Sequence, residues 1–177
     1  KRMMNRTVWA MTKQLRKGSF KPEGYEVSFG SGKIDRIDTC ETEDQVYVKI
    51  LDYKTGAKSF DMAAFYHGLQ MQLVVYMEEA VRLEERKHPG KKIVPAGIFY
   101  YRMKDPIVGK ELDEEKLEEA ILKELRLDGI IRQEDAVIQR LDADFSGNSL
   151  VIPAGKTKSG YSKASKMLLP EEFDAVL

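Results

Sequence analysis

This chain contains a single cysteine, Cys40, among its 177 residues. One cysteine excludes an internal disulfide, a cysteine-ligated zinc site and a self-contained iron–sulfur cluster, and it is typical of a reducing compartment such as the cytoplasm. Histidine is also scarce. His67 and His88 lie far from one another and from other candidate ligands along the chain, so we expect no histidine metal site. No apolar run is long enough to span a bilayer, and we therefore predict no membrane association.

The remaining composition is that of an ordinary globular domain. Hydrophobic residues make up 42% and charged residues 33% of the sequence. A chain of this length can bury a substantial core, and we predict one domain over residues 1–177. The formal net charge is zero, which argues against a surface that coats nucleic acid throughout. The chain starts at Lys1 rather than methionine and ends at Leu177 in a predicted helix, so we interpret it as a fragment truncated at both ends.

Positive charge is nevertheless concentrated near the two ends of the chain. Residues 1–22 contain seven lysines and arginines, residues 153–169 contain four lysines, and neither segment contains an acid. Residues 111–119, by contrast, are strongly acidic. The two basic segments would suit a phosphate backbone, although charge runs of this kind are often ordinary solvated surface.

Hydrophobic periodicity alternates between helical and strand patterns along the chain. It predicts helices at residues 3–17, 61–87, 113–127, 134–141 and 170–177. It predicts strands at residues 25–29, 33–40, 46–54, 93–103 and 149–153. This order favours an α/β fold in which a sheet has helices on both faces.

The end of the strand at 46–54 carries the most informative residues. Asp52 and Lys54 are two positions apart, so a strand points both side chains to the same face, which also carries the apolar residues of that strand. If the preceding turn centres between Glu43 and Asp44, opposing positions sum to 87 and Asp35 lies across from Asp52. A bulge would shift this pairing by one residue.

Two carboxylates and an amine at one strand end are suited to metal-dependent phosphodiester hydrolysis. Mg²⁺ takes oxygen ligands, which Asp35, Asp52 and the backbone carbonyl of Tyr53 would supply, and Mn²⁺ is a plausible substitute. Lys54 would orient the attacking water and offset charge on the scissile phosphate. The alternative interpretation is a surface ion pair at a strand end, which is common in any charged chain.

Three segments in this order carry a family resemblance: Gly-Lys-Ile-Asp-Arg-Ile-Asp at 32–38, Ile-Leu-Asp-Tyr-Lys-Thr-Gly at 50–56 and Gly-Leu-Gln-Met-Gln-Leu-Val-Val-Tyr at 68–76. They resemble the RecB-type nuclease motifs of the PD-(D/E)xK superfamily, and most nearly those of the AddB family, whose members are components of bacterial ATP-dependent helicase/nucleases. The resemblance implies a restriction-endonuclease-like core, with a central mixed β-sheet flanked by helices.

The same resemblance implies roles for individual residues. Asp35 and Asp52 match the metal-binding acids of the family, and Lys54 matches its active-site lysine. Gln72 and Tyr76 match the Gln-x-x-x-Tyr motif and would position substrate from one helical face.

Neighbouring residues fit the family motifs less well. Asp38 ranks second to Asp35 because it points to the opposite strand face, and Gln70 fails the Gln-x-x-x-Tyr spacing. The family has a further acid or histidine upstream, for which Glu26 is a candidate substitute. The cysteines that hold an iron–sulfur cluster in AddB proteins are absent, and Cys40 in mid-domain does not replace them.

The resemblance implies a Mg²⁺-dependent DNA exonuclease domain that acts in double-strand-break repair and recombination. The implied partners are DNA and an AddA-type helicase/nuclease subunit, and Arg36 and Lys58 are candidate phosphate contacts. Two alternatives are a non-catalytic DNA-binding or scaffold module of the same fold and a stand-alone nuclease of the same superfamily. Both acids and the lysine are present here, although a non-catalytic module is expected to lose at least one of them.

Overall fold

The computed structural model describes residues 1–56, 59–68, 70–109 and 111–177. Helices lie at Arg2–Leu15 (α1), Met62–Tyr66 (α2), Met71–Lys87 (α3), Glu114–Glu124 (α4), Asp135–Leu141 (α5) and Pro170–Ala175 (α6). Strands lie at Lys21–Phe29 (β1), Gly32–Glu41 (β2), Gln45–Thr55 (β3), Lys92–Met103 (β4), Asp128–Arg132 (β5), Lys156–Thr157 (β6), Gly160–Tyr161 (β7) and Met167–Leu168 (β8).

The central feature is a mixed sheet with strand order β1-β2-β3-β4-β5-β8. β3 and β4 are parallel, as are β5 and β8, and the other neighbouring strands are antiparallel. The short strands β6 and β7 form a separate hairpin. This arrangement confirms the predicted α/β class with a mixed sheet flanked by helices.

Both faces of the central strands are buried, which places two apolar layers on the sheet. On one face, Val48 and Ile50 of β3 pack with Leu73 and Met77 of α3. On the other face lies a second cluster that includes Leu51 of β3 and residues of α5. Strand alternation therefore sends Asp52 and Lys54 toward the α3 face, because they continue the Val48–Ile50 series.

The register between β2 and β3 agrees with the sequence prediction. Pairs run from Arg36 opposite Leu51 to Glu41 opposite Val46, and the two numbers of each pair sum to 87. One further step in this register places Asp35 across from Asp52. No bulge interrupts the pairing, so the alignment predicted from the turn is correct.

The prediction of one long helix over 61–87 is wrong. α2 begins after Asp61, whose side chain accepts hydrogen bonds from the backbone N–H groups of Ala63 and Ala64. It ends before Gly68, which has a φ of 75°, a left-handed conformation that glycine adopts without strain and that stops a helix. α3 then starts again at Met71.

Two further predictions near the carboxyl end are wrong. The helix predicted over 113–127 ends at Glu124, and β5 follows it. Gly129 belongs to β5, where a Cβ would collide with the carbonyl of Ile98 in β4. The strand predicted at 149–153 is a bend, because the hydroxyl of Ser149 accepts hydrogen bonds from the N–H groups of Val151 and Ile152 and so removes them from any ladder.

Candidate active site

Asp35, Asp52 and Lys54 meet at one end of the sheet, where β2 begins and β3 ends. The Nζ of Lys54 lies 2.6 Å from Oδ2 of Asp52, and Oδ2 of Asp35 accepts a hydrogen bond of 2.9 Å from the backbone N–H of Tyr53. Asp52 is 7% exposed. The structure therefore brings together the three side chains that the sequence predicted.

The carboxylate of Asp52 perturbs the neighbouring Asp35. Burial raises the pKa of Asp35, the Tyr53 N–H opposes this, and the neighbouring Asp52 carboxylate raises it further, so the net pKa lies above its ordinary value. In the described part of the chain, the partner of Oδ2 of Asp52 is the ammonium group of Lys54, which lies 2.6 Å away. A cation between the carboxylates would relieve their repulsion, so these residues suit a divalent metal ion.

Lys54 carries its charge toward this acid pair. Burial alone would lower its pKa, but the carboxylate of Asp52 more than offsets this and raises the pKa above its ordinary value. Its Nζ also lies 5.4 Å from the ring centroid of Tyr100 in β4. The side chain is therefore a positioned cation at neutral pH.

The backbone of Tyr53 faces the same side as Asp35. In an extended strand, the N–H and C=O of one residue point to the same edge of the strand. Because the N–H of Tyr53 donates to Asp35, its carbonyl also points toward that side. This orientation is compatible with the predicted third oxygen ligand.

Gln72 and Tyr76 form a pair on the first turns of α3. The Nε2 of Gln72 donates a hydrogen bond of 2.6 Å to the Tyr76 hydroxyl, and the Tyr76 ring packs edge-on against Phe29 at 5.6 Å. Both lie on one helical face, as the spacing predicted. Neither shows a hydrogen bond to Asp35 or Asp52 in the described part of the chain, so their role in substrate positioning stays a prediction.

Gln70, which sequence reasoning set aside, lies beside the candidate active site. It is 8% exposed, and its Nε2 lies 3.4 Å from the hydroxyl of Tyr100, which is paired beside Asp52 in the sheet. Its Oε1 accepts no hydrogen bond from the described residues. Gln70 is the N-cap of α3. The glycine at position 68, which can end a helix, was the sequence signal that could have placed Gln70 at the start of a new helix.

Arg36 and Asp38 lie in a buried ionic cluster. Nε and Nη2 of Arg36 each lie 2.7 Å from an oxygen of Asp38, and Nζ of Lys49 lies 3.3 Å from the same carboxylate. Asp38 is therefore occupied and cannot replace Asp35. The prediction that Arg36 contacts phosphate is wrong, because this residue is 3% exposed, and Lys58 lies outside the described residues.

Glu26, the candidate for the further upstream acid, forms an ion pair with Lys33. It falls between the pairs Tyr25–Arg36 and Val27–Ile34, which places it across from Asp35. Its carboxylate, however, lies 3.1 Å from Nζ of Lys33 on the exposed hairpin. Its φ of 49° is unusual for a residue with a side chain.

A basic cleft adjoins the acid pair on the β4–β5 side. Arg102 pairs with Lys54 in the parallel register of β3 and β4, and it lines a cavity of about 300 Å³ together with Lys123, Arg126 and Lys166. Nζ of Lys166 lies 2.6 Å from Oδ1 of Asp128. The lining also contains one further acid, Glu124, so Arg102, Lys123 and Arg126 leave a surplus of positive charge beside the candidate centre.

The chain belongs to the PD-(D/E)XK nuclease superfamily, whose defining sequence pattern matches residues 1–150. Fold and site agree with this membership: a mixed sheet carries two acids and a lysine at the ends of neighbouring strands. In the described parts of the chain, no helix has the length and hydropathy needed to cross a membrane.

The sequence is similar to that of the AddB component of ATP-dependent helicase/deoxyribonuclease from several bacteria. It is 37% identical over 200 residues to the protein of Alkaliphilus metalliredigens, in an alignment that covers 100% of this chain and 17% of that protein. It is 38% identical over 190 residues to the protein of Lachnoclostridium phytofermentans, covering 97% of this chain and 16% of that protein. These matches confirm the resemblance to the AddB family, and the chain spans only about one sixth of its relatives' length.

Proposed function

We propose that this chain is a metal-dependent deoxyribonuclease domain that hydrolyses DNA as an exonuclease. The observation that carries the proposal is the convergence of Asp35, Asp52 and Lys54 at one sheet end. Membership of a nuclease superfamily and the name of the relatives, which contains "deoxyribonuclease", support the choice of reaction and substrate. A non-catalytic module has no support from this site, because all three groups are present and adjacent.

The metal ion of this proposal is Mg²⁺, with Mn²⁺ as a substitute. Asp35, Asp52 and the carbonyl of Tyr53 would hold it, since hard cations take oxygen donors. When bound, the ion lowers the pKa of a coordinated water and polarises the scissile phosphate. The proximity of the Asp35 and Asp52 carboxylates, which raises the pKa of Asp35, is the feature that best suits such an ion.

The side chains have separate tasks in this mechanism. The N–H of Tyr53 holds Asp35 in the orientation that faces Asp52. Lys54, once it leaves the carboxylate of Asp52, donates a hydrogen bond to the attacking water and offsets negative charge on the phosphate. Gln72 and Tyr76 position the substrate strand from α3.

The basic cleft gives the DNA backbone a path away from the acid pair. Arg102, Lys123 and Arg126 line this cleft, and arginine and lysine at a groove are typical phosphate contacts. The cleft starts beside Lys54, so a strand lying in it would bring a phosphodiester to the candidate centre. Binding through such contacts should weaken as the salt concentration rises.

The biological setting of the proposal comes from the resemblance to the AddB family. We infer that the domain acts with an AddA-type helicase/nuclease subunit in cytoplasmic double-strand-break repair and recombination. The single cysteine, Cys40, is buried and free, and it cannot form the iron–sulfur cluster of the AddB family by itself. That cluster would need cysteines outside this chain.

The test compares Asp52→Asn with Asp44→Asn in a nuclease assay on linear DNA with Mg²⁺. Asp44 lies in the β2–β3 turn, at the opposite end of the same strand pair, and provides a matched control. We expect Asp52→Asn to abolish hydrolysis with unchanged circular dichroism, and Asp44→Asn to retain it. Full activity of Asp52→Asn would exclude the assigned centre.

A further inference from the structure

A second cluster of candidate metal ligands lies at the opposite end of α3. It consists of Glu84 in the last turn of α3, His88 at its C-cap and Glu23 in β1. Glu84 follows Gln72 by twelve residues, which corresponds to about 18 Å along the helix axis. This cluster is therefore distinct from the acid pair of the candidate active site.

The ligand atoms of the cluster already have the spacing of a metal site. One ligand atom from each of the three residues lies within 4.8 Å of the other two. Nε2 of His88 is 3.2 Å from Oε2 of Glu84. Two ligands about 2.05 Å from a tetrahedral ion would be about 3.3 Å apart, so this pair needs almost no rearrangement.

The carboxylate of Glu84 is buried without a hydrogen bond. Glu84 is 0% exposed, and neither of its oxygens accepts a hydrogen bond from the described residues. Nζ of Lys87 lies 3.7 Å from Oε1 of Glu84 but 3.0 Å from Glu23, to which it donates. A buried carboxylate with no donor is costly, and a cation facing Glu84, Glu23 and His88 would remove that cost.

The imidazole of His88 is oriented as in many metal sites. Nδ1 lies 3.4 Å from Oε1 of Glu41 in β2, while Nε2 faces Glu84. A carboxylate on the far nitrogen commonly fixes the tautomer and direction of a ligating histidine. Lys91 lies 2.7 Å from the same oxygen of Glu41 and holds that carboxylate in place.

We propose that Glu23, Glu84 and His88 bind one Zn²⁺ ion, with Glu41 as the positioning residue for His88. Two carboxylates neutralise the charge of the ion, and a mixed nitrogen and oxygen ligand set suits Zn²⁺. The ion would tie the edge strand β1 to the carboxyl end of α3. The sequence prediction that His88 is too isolated for a metal site overlooked this arrangement, because Glu23 is 65 positions away in the chain.

The experiment measures Zn²⁺ binding by isothermal titration calorimetry on the untagged full chain. The Asp52→Asn variant serves as background, so that the acid pair does not contribute. We expect this variant to bind one Zn²⁺ and His88→Ala in the same background to bind at least about tenfold more weakly. His67→Ala is the matched control, since it removes the other histidine, and should leave the affinity unchanged.

A second measurement distinguishes ligation from a structural effect of the substitution. Zn²⁺ should raise the thermal unfolding midpoint of the Asp52→Asn protein but not that of the His88→Ala double variant. Glu41→Gln should lower the affinity less than His88→Ala, since it disturbs only the orientation of the ring. Absence of Zn²⁺ binding in the Asp52→Asn protein, or equal affinity with and without His88, would overturn the site.

Discussion

Replacement of Glu84 by glutamine should stabilise the protein at alkaline pH. Burial and the adjacent carboxylate of Glu23 raise the pKa of Glu84 from 4.5 to about 7, and Lys87 only partly opposes this. The folded state therefore favours the protonated side chain. A glutamine has nearly the same shape as a protonated glutamate and carries no charge at any pH, so it should remove this pH dependence.

The sign and size of this change in the free energy of unfolding follow from proton linkage. Because the folded pKa is raised, the stability contribution of Glu84 is fully present below pH 4.5 and is lost as the pH rises through about 7. A difference of about 2.5 pKa units corresponds to about 3.4 kcal/mol. Glu23 is partly exposed and solvent screens its charge, which reduces the expected effect to about 2 kcal/mol.

The assay is urea denaturation followed by circular dichroism at pH 5 and pH 8, with EDTA present to remove metal ions. We expect Glu84→Gln to exceed the free energy of unfolding of the unsubstituted protein by about 2 kcal/mol at pH 8 but by only about 0.5 kcal/mol at pH 5, because most of the effect develops between pH 5 and pH 7. The exposed neighbour provides the control, Glu85→Gln, which should change little at either pH. The same difference at both pH values would refute a raised pKa for Glu84.

Three further predictions concern the candidate active site and the sheet. Lys54→Ala should lower the rate of DNA hydrolysis by at least about 100-fold while DNA affinity in a binding assay changes little; unchanged hydrolysis would rule out its catalytic task. Arg102→Ala should weaken DNA binding and reduce its salt dependence by about one counterion, and an unaltered salt slope would exclude the basic cleft as the DNA path. Gly129→Ala should cost more than about 2 kcal/mol in urea denaturation because its Cβ collides with β4, whereas a smaller loss would show that the strands can separate there.

Local patterns in the sequence were sufficient for the strands that carry the candidate site. Alternation over 46–54 placed Asp52 and Lys54 on one face, and the short connection after β2 gave the correct register with β3. The shared face depends only on the two-residue repeat of a strand. The register depends only on the turn of three residues at 42–44, across which the paired positions can be counted.

The same reasoning failed where a local pattern had two interpretations. The apolar content of 61–87 is compatible with one helix or two, and the conformation of Gly68 decides between them. β5 has only five residues and closely follows a helix, so the pattern predicted no strand there. The arginine at position 36 resembled a surface cation, because nothing in the strand pattern indicates that it is buried against Asp38.

The sequence by itself determined the α/β class, the strand register and the three side chains of the candidate active site, because each follows from periodicity or from a motif of a few residues. Only the tertiary structure brought Gln70 to Tyr100, enclosed Arg36 with Asp38 and placed Glu23 beside His88. These contacts depend on how the helices pack on the sheet and how its strands are covered, and most of them join residues that are distant in the chain. Periodicity describes which face a residue occupies but not which partner that face will meet.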